Sequence, residues 1–206
     1  MPVTTELQTL KMSFDEYMIS LDEDTRAEWF NGEVILMNPV SQKHYKVTRF
    51  LSRVIEEFVE LNRLGEVYAD TFAMRLSSVS SARVPDVIFV RTANGDRVKA
   101  TYLDGPADLV VEVVSFDSRA CDRGTKFYEY EQAGVPEYWL IDPLREVAEF
   151  YRRDALGKFE SHPIDEDGFY RSVELTGFRF RPEWLWQTPL PRVHEVVGET
   201  VDIPQD

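Results

Sequence analysis

Asp108-Leu109-Val110-Val111-Glu112-Val113-Val114-Ser115 is the stretch that decides the fold: an apolar, largely β-branched run with a single carboxylate in its middle. A continuous apolar run, as opposed to an alternating one, marks a strand covered on both sheet faces. The rest of the chain must therefore supply a layer on each side of it. An ionised Glu taken alone into such a strand costs several kcal/mol, so Glu112 requires a proton, a cationic partner or a metal.

Upstream, Val87-Ile88-Phe89-Val90 is a second apolar strand, and Pro85-Asp86 stands at its start. Two carboxylates on neighbouring strands would converge on a hard divalent cation, which prefers oxygen ligands. Downstream, a helix is expected from about Arg123 to Ala133, closed by Gly134 with Pro136 just beyond. Lys126 lies early in it, where a flexible stem returns an ammonium toward the end of the Glu112 strand. A cation beside two carboxylates and a metal suits the activation of water and the stabilisation of extra charge in phosphodiester hydrolysis. Each residue also has a plainer reading: a structural buried Glu, a turn Asp, and an i, i+4 surface pair of Asp122 with Lys126.

Further out, Ser13-Phe14-Asp15-Glu16 is a capping box opening a short amphipathic helix. Asn31-Gly32 between Ala27–Phe30 and Glu33–Met37 predicts a type I′ hairpin. Val47, Phe50, Leu51, Val54, Ile55, Phe58 and Val59 repeat at helical spacing between Ser41 and Leu61. Strands are expected near Glu66–Tyr68, Phe72–Leu76, Tyr138–Ile141 and Val147–Tyr151, the last two joined by Asp142-Pro143-Leu144-Arg145. The order α, ββ, α, several β, α, ββ predicts an α/β or α+β fold, a sheet with helices packed on it.

The 206 residues, 43% hydrophobic and 29% charged, belong to an ordinary globular domain. Cys121 is the only cysteine, which excludes an internal disulfide and implies a reducing compartment. With no membrane-length apolar run and no signal-like N-terminus, the reading is a cytoplasmic protein without membrane contact. The net charge of -14 opposes a general polyanion-coating role, yet residues 31–145 hold fourteen basic against seventeen acidic groups. Any polyanion contact belongs to that middle region. Lys43, Lys46, Arg49, Arg53 and Arg63 on the long helix exceed Glu56, Glu57 and Glu60 by two; a charge-mixed solvated face is the default reading, with phosphate contact as the alternative. Trp139, Trp184 and Trp186 read as core residues more readily than as stacking platforms for bases. Walker loops, G-x-G-x-x-G, G-x-S-x-G and H-E-x-x-H are all missing.

Taken in order, Asn31-Gly32-Glu33, His44 before the long helix, Val84-Pro85-Asp86-Val87, Val111-Glu112-Val113-Val114-Ser115, Asp122 to Lys126, Tyr130, and Gly134-Val135-Pro136-Glu137-Tyr138-Trp139-Leu140-Ile141-Asp142-Pro143 resemble the Uma two family of the PD-(D/E)XK restriction-endonuclease-like superfamily. The resemblance covers about residues 12–152. It implies a mixed central sheet flanked by helices and a magnesium-dependent endonuclease site, with Mn²⁺ as a substitute ion and nucleic acid, DNA first, as substrate. It implies that Asp86 and Glu112 are metal ligands. Val114 stands where the superfamily has the lysine of E-x-K; in the Uma two pattern that lysine is displaced to the next helix, here Lys126. Glu33 and His44 match further motif positions, as an outer ligand or proton-transfer group, with a capped hairpin and a helix-start His as the plain reading. Ser115, Asp122 and Tyr130 read as supporting or packing groups. The division expected is a core over 1–152 and a β extension with an acidic tail over 153–206 on the same domain, and the resemblance suggests a homodimer. Two rival functions fit the charge: a binding or assembly protein that keeps the fold without catalysis, and a metal-dependent hydrolase of a small phosphoester.

Overall fold

The run around Glu112 forms a strand, Leu109–Val113, in which every residue is buried. The computed structural model describes residues 11–20, 26–69, 71–115 and 121–201. In chain order the helices are α1 (Phe14–Ser20), α2 (Gln42–Asn62), α3 (Phe127–Ala133) and α4 (Val193–Thr200). The strands are β1 (Ala27–Phe30), β2 (Glu33–Leu36), β3 (Gly65–Ala69), β4 (Ala73–Leu76), β5 (Ser81–Arg83), β6 (Val87–Arg91), β7 (Tyr102–Asp104), β8 (Leu109–Val113), β9 (Glu137–Asp142), β10 (Val147–Arg153), β11 (Phe159–Ser161), β12 (Tyr170–Arg171) and β13 (Arg179–Phe180).

Local chemistry sets the element ends. The Ser41 side chain caps α2 by accepting from the His44 amide, and Arg63 closes the helix in the left-handed region at φ 53°. Asn31 and Gly32 take φ of 49° and 86°, the two positive values that a type I′ hairpin turn requires. Ser13 and Glu16 form the expected reciprocal cap of α1.

The central sheet has six strands in the order β11-β10-β9-β8-β6-β3. It is mixed: β8 and β9 run parallel, joined by a crossover that contains α3, and the other pairs are antiparallel. On one face, Val54, Ile55 and Phe58 of α2 pack on Phe89, Val111 and Val113, with α4 against the same cluster. On the other face, Ile88, Val110 and Leu140 meet Tyr130 of α3 and Met74 and Leu103 of a second sheet. That second sheet has the order β2-β1-β5-β4-β7. The double covering inferred from the apolar run is therefore met by helix on one side and by helix plus sheet on the other.

The departures from the sequence reading have local causes. Regular α-helix begins at Phe127, not near Arg123, because Cys121–Lys126 is wound as a wider π-helical segment. β5 and β7 are three residues each, too short to show a period. The C-terminal stretch, read as irregular beyond its β extension, includes α4, which lies on α2. Glu137 fastens this stretch to the sheet: fully buried, it accepts from Trp139 Nε1 at 2.6 Å, Tyr170 OH at 2.8 Å, Ser172 Oγ at 2.9 Å, and the Val173 and Glu174 amides at 3.0 Å. Among the described residues no helix is long and apolar enough to cross a membrane.

Candidate active site

The chain leaves β5 of one sheet and enters β6 of the other through Val84-Pro85-Asp86, so Asp86 sits at the junction of the two sheets. β6 and β8 pair with Val87 opposite Val111 and Ile88 opposite Val110; the same register continued by one residue sets Asp86 across from Glu112. The strand adjacency that the paired carboxylates needed is present. Asp86 is held on both oxygens, Oδ1 by His44 Nε2 at 2.9 Å and Oδ2 by the Val113 amide at 2.7 Å. His44 comes from the first turn of α2, so the helix start is anchored to the head of β6.

Glu112 Oε1 accepts from Lys126 Nζ at 3.0 Å and from the Tyr130 hydroxyl at 2.6 Å. Lys126 Nζ also lies 3.0 Å from Glu28 Oε1 and 3.4 Å from Asp122 Oδ1. Glu28 is clamped from behind by Arg83, its cross-strand neighbour, at 2.8 Å, and Arg83 in turn holds Glu129 of α3 through two nitrogens at 2.8 and 2.6 Å. Ser81 Oγ donates to the same Glu129 at 2.7 Å. Asp86, Glu112, Lys126 and His44, with Ser115, Asp122 and Glu28, line one cavity of about 400 Å³, whose apolar rim includes Ile35, Leu36 and Leu144.

Of the residues singled out in the sequence, Asp86, Glu112, Lys126, His44, Ser115 and Asp122 line this cavity, and Tyr130 supports Glu112 from beneath. Glu33 is not among them. It is the first residue of β2, beside the hairpin turn, opposite Phe30 and bridged to Lys11. The site faces the open end of the hairpin, and Glu28 stands where Glu33 was expected. Glu28 had a visible signal, a carboxylate in Ala27-Glu28-Trp29-Phe30 much like Glu112 in its own strand. Arg83, alone between Ala82 and Val84, carried a weaker one.

The charge in the cavity is unbalanced. Burial drives the Glu112 carboxyl up to about 8; Lys126 opposes the rise, while Asp122, Asp86 and Glu28 add to it. Burial also disfavours the Lys126 ammonium, but Glu112, Glu28 and Asp122 outweigh it and hold its pKa well above the ordinary lysine range. Burial likewise pushes against the Glu28 carboxylate, and Lys126 and Arg83 overcome it to keep that group below its usual value. Lys126 is therefore a fixed cation, Glu28 its permanent counter-ion, and Glu112 the group that changes proton state near neutrality.

The donors fit a small hard cation. Among the described residues no three His, Cys, Asp or Glu side chains are gathered as a ready-made cage. Magnesium seldom needs one, being held by one or two carboxylates with waters and substrate phosphate completing its shell. Both bonds to Glu112 fall on Oε1, leaving Oε2 with neither.

A mixed sheet of this order flanked by helices is a nuclease-like fold. The chain belongs to the Uma2 (Uma two) family, whose model, described as "Putative restriction endonuclease", matches residues 14–191. A solved structure described as "a putative nuclease belonging to DUF820", from Anabaena variabilis ATCC 29413, superposes with a TM-score of 0.71 at 18% identity, covering 85% of this chain and 97% of that one. At that identity the likeness concerns the fold alone. None of the curated proteins matches this chain.

Proposed function

We propose that the protein is a divalent-metal-dependent endonuclease that hydrolyses phosphodiester bonds of nucleic acid, with DNA as the first substrate to try. The observation that carries this reading is the opposition of Asp86 and Glu112 on adjacent strands in one cavity, with Lys126 Nζ fixed 3.0 Å from Glu112. Asp86 and Glu112 would hold Mg²⁺, or Mn²⁺ in its place, which when bound supplies Lewis-acid polarisation of the phosphate and a more acidic water. His44 and the Val113 amide fix the orientation of Asp86, so that ligand arrives pre-set. Lys126, kept protonated by its acidic neighbours, offsets the negative charge that grows on the phosphoryl oxygens in the transition state. Glu28 and Arg83 prevent the ammonium from swinging away. By the same reading, a homodimer would let two such sites act on two strands.

Calorimetric titration of Mn²⁺ and Mg²⁺ into wild-type protein and Asp86→Asn, with cleavage of DNA and RNA followed in Mg²⁺ and in EDTA, tests this. Expected are divalent-dependent cleavage and metal binding by the wild type, both lost in the variant. Metal binding that survives Asp86→Asn, or cleavage that persists in EDTA, would overturn the assignment.

A further inference from the structure

Two further cavities lie in sequence along α2, leading away from the catalytic one. The nearer, of about 440 Å³, has Arg26, His44, Thr48, Arg49, Arg53 and Asp86 in its wall, and it shares Arg26, His44 and Asp86 with the catalytic cavity. The farther, of about 650 Å³, runs between α2 and residues 190–194 and shares Tyr45, Arg49 and Arg53 with the nearer. Each cavity thus shares part of its wall with the next along α2.

Beyond the acidic catalytic cavity the two outer cavities are basic, in a chain whose net charge is -14. Lys46, Arg49 and Arg53 fall at i, i+3 and i+7, on one face of the helix, and all three are exposed. Among the described residues none of them forms an ion pair, and Arg49 donates only to the Tyr45 hydroxyl, at 3.3 Å. In the farther cavity Lys46, Arg49 and Arg53 face a single acidic residue, Glu57, while Arg192 in the same wall lies 4.0 Å from Glu195. Surface cations left without carboxylate partners along a groove are placed for an anionic ligand.

A second observation points the same way. His44 Nδ1 and Thr48 Oγ1 are buried without a hydrogen-bond partner, on residues only 6% exposed, one helical turn apart in the wall of the nearer cavity. Buried polar atoms of this kind are normally satisfied. With Nε2–H donating to Asp86, Nδ1 of the neutral ring is an acceptor that calls for a donor such as water, while the Thr48 hydroxyl is the donor suited to a phosphate oxygen.

Building on the nuclease reading, we propose that this row of cavities is the track for the nucleic-acid strand beyond the scissile bond. The adjacent phosphate sits at Thr48, and the following phosphates lie on Arg49, Arg53 and Lys46. From Lys46 to Arg53 the helix rises about 10 Å at 1.5 Å per residue. That matches about three nucleotides at 3.4 Å per step. Tyr45, half exposed at 49%, offers a ring to a base or sugar along the way. The track engages phosphate and therefore holds a strand in place without reading its sequence.

The test is fluorescence anisotropy of labelled DNA and RNA oligonucleotides, in Ca²⁺ over a series of salt concentrations, for the wild type, Arg49→Ala/Arg53→Ala and Lys99→Ala, an exposed basic residue outside the groove. Hydrolysis of bis(4-nitrophenyl) phosphate in Mg²⁺ is measured in parallel. The double variant is expected to bind at least about 10-fold more weakly, and its slope of log affinity against log salt should shrink by about 1.8 on duplex or about 1.4 on a single strand. Lys99→Ala should bind as wild type, and the small diester should be hydrolysed equally by all three. Wild-type affinity and slope in the double variant would overturn the track, as would loss of small-diester hydrolysis together with polymer binding, which would mean a damaged site. Failure of the nuclease reading looks different: no cleavage of polymer or diester by the wild type, while binding still depends on Arg49 and Arg53.

Discussion

Glu112 and Glu137 are buried glutamates on neighbouring parallel strands, 3% and 0% exposed, and their surroundings are opposite in kind. Glu137 accepts five hydrogen bonds shared over both oxygens, two of them from backbone amides of residues 173 and 174, with no cation needed. Glu112 accepts two, both on one oxygen, and looks out on Asp86, Asp122 and Glu28. One carboxylate is satisfied by fixed dipoles and fastens two parts of the chain together. The other is left short of positive charge at the edge of a cavity. A protein that satisfied Glu112 as completely as Glu137 would be more stable and would have nothing left with which to bind a cation.

The sharpest way to break the comparison is to remove each carboxylate in turn. Glu112→Gln should lower divalent-dependent cleavage on the order of 10³-fold, the scale of losing a principal electrostatic group from an active site. Its metal-free melting temperature at pH 8 should stay level or rise, since a buried group beside three like charges has become neutral. Glu137→Ala should do the reverse. Stranding five donors is expected to cost about 3 kcal/mol, or about 6–12 °C in melting temperature for a chain of this size, with cleavage retained below the transition. Thermal denaturation and a cleavage assay on both variants decide the matter; a destabilised Glu112→Gln or an inactive, fully folded Glu137→Ala would erase the distinction.

The same pair shows how far the sequence could be read. Glu112 and Glu137 carry similar local signatures, an acid in or at the head of an apolar strand, and only Glu112 was marked as needing a partner. What separates them is largely non-local: four of the five donors to Glu137 come from residues 170–174, more than thirty positions along the chain, on and just after a two-residue strand with no period to betray it. The central elements were legible because α2 and β8 have strong patterns that tertiary packing had no reason to override. Asp86 and Glu112 are legible because an acid among β-branched residues must be explained; Lys126 is legible from its place early in the helix after the Glu112 strand, and the family pattern matches it. Between Glu28 and Glu33 the sequence alone does not choose, because a hairpin sequence does not say which of its ends faces a cleft. The basic face of α2 looked charge-mixed because counting along a helix ignores which side each charge occupies: Glu56 and Glu60 are exposed, but they do not line the groove that holds Arg49 and Arg53.

A smaller effect sharpens the contrast through pH. With the Glu112 carboxyl raised to about 8 by burial and by Asp122, Asp86 and Glu28, against the pull of Lys126, the native state keeps a proton that the unfolded chain releases above about 4.5. The unfolded state then binds fewer protons than the native one over that window, so stability falls as pH rises. The contribution is complete below about pH 4.5 and is lost as pH passes through about 8. In EDTA, the melting temperature of the wild type relative to Glu112→Gln should therefore decline steadily from pH 5 to pH 8.5. A difference that grows with pH would show that Glu112 is ionised and well satisfied in the fold.

The smallest change is at the hydroxyl that Glu112 does possess. Burial, then the charge of Glu112, pushes the Tyr130 phenol well above its usual range, so it remains a donor to Glu112 Oε1 at every working pH. Tyr130→Phe removes one bond of 2.6 Å and leaves Lys126 in place, a loss of about 1 kcal/mol and at most about tenfold in turnover. A positioning role and a packing role part here. Without the hydroxyl the ionised form of Glu112 loses one of its two donors, so its carboxyl should rise further and the acidic limb of the pH–rate profile should move to higher pH. A ring that merely fills space would lower the melting temperature and leave that limb where it was.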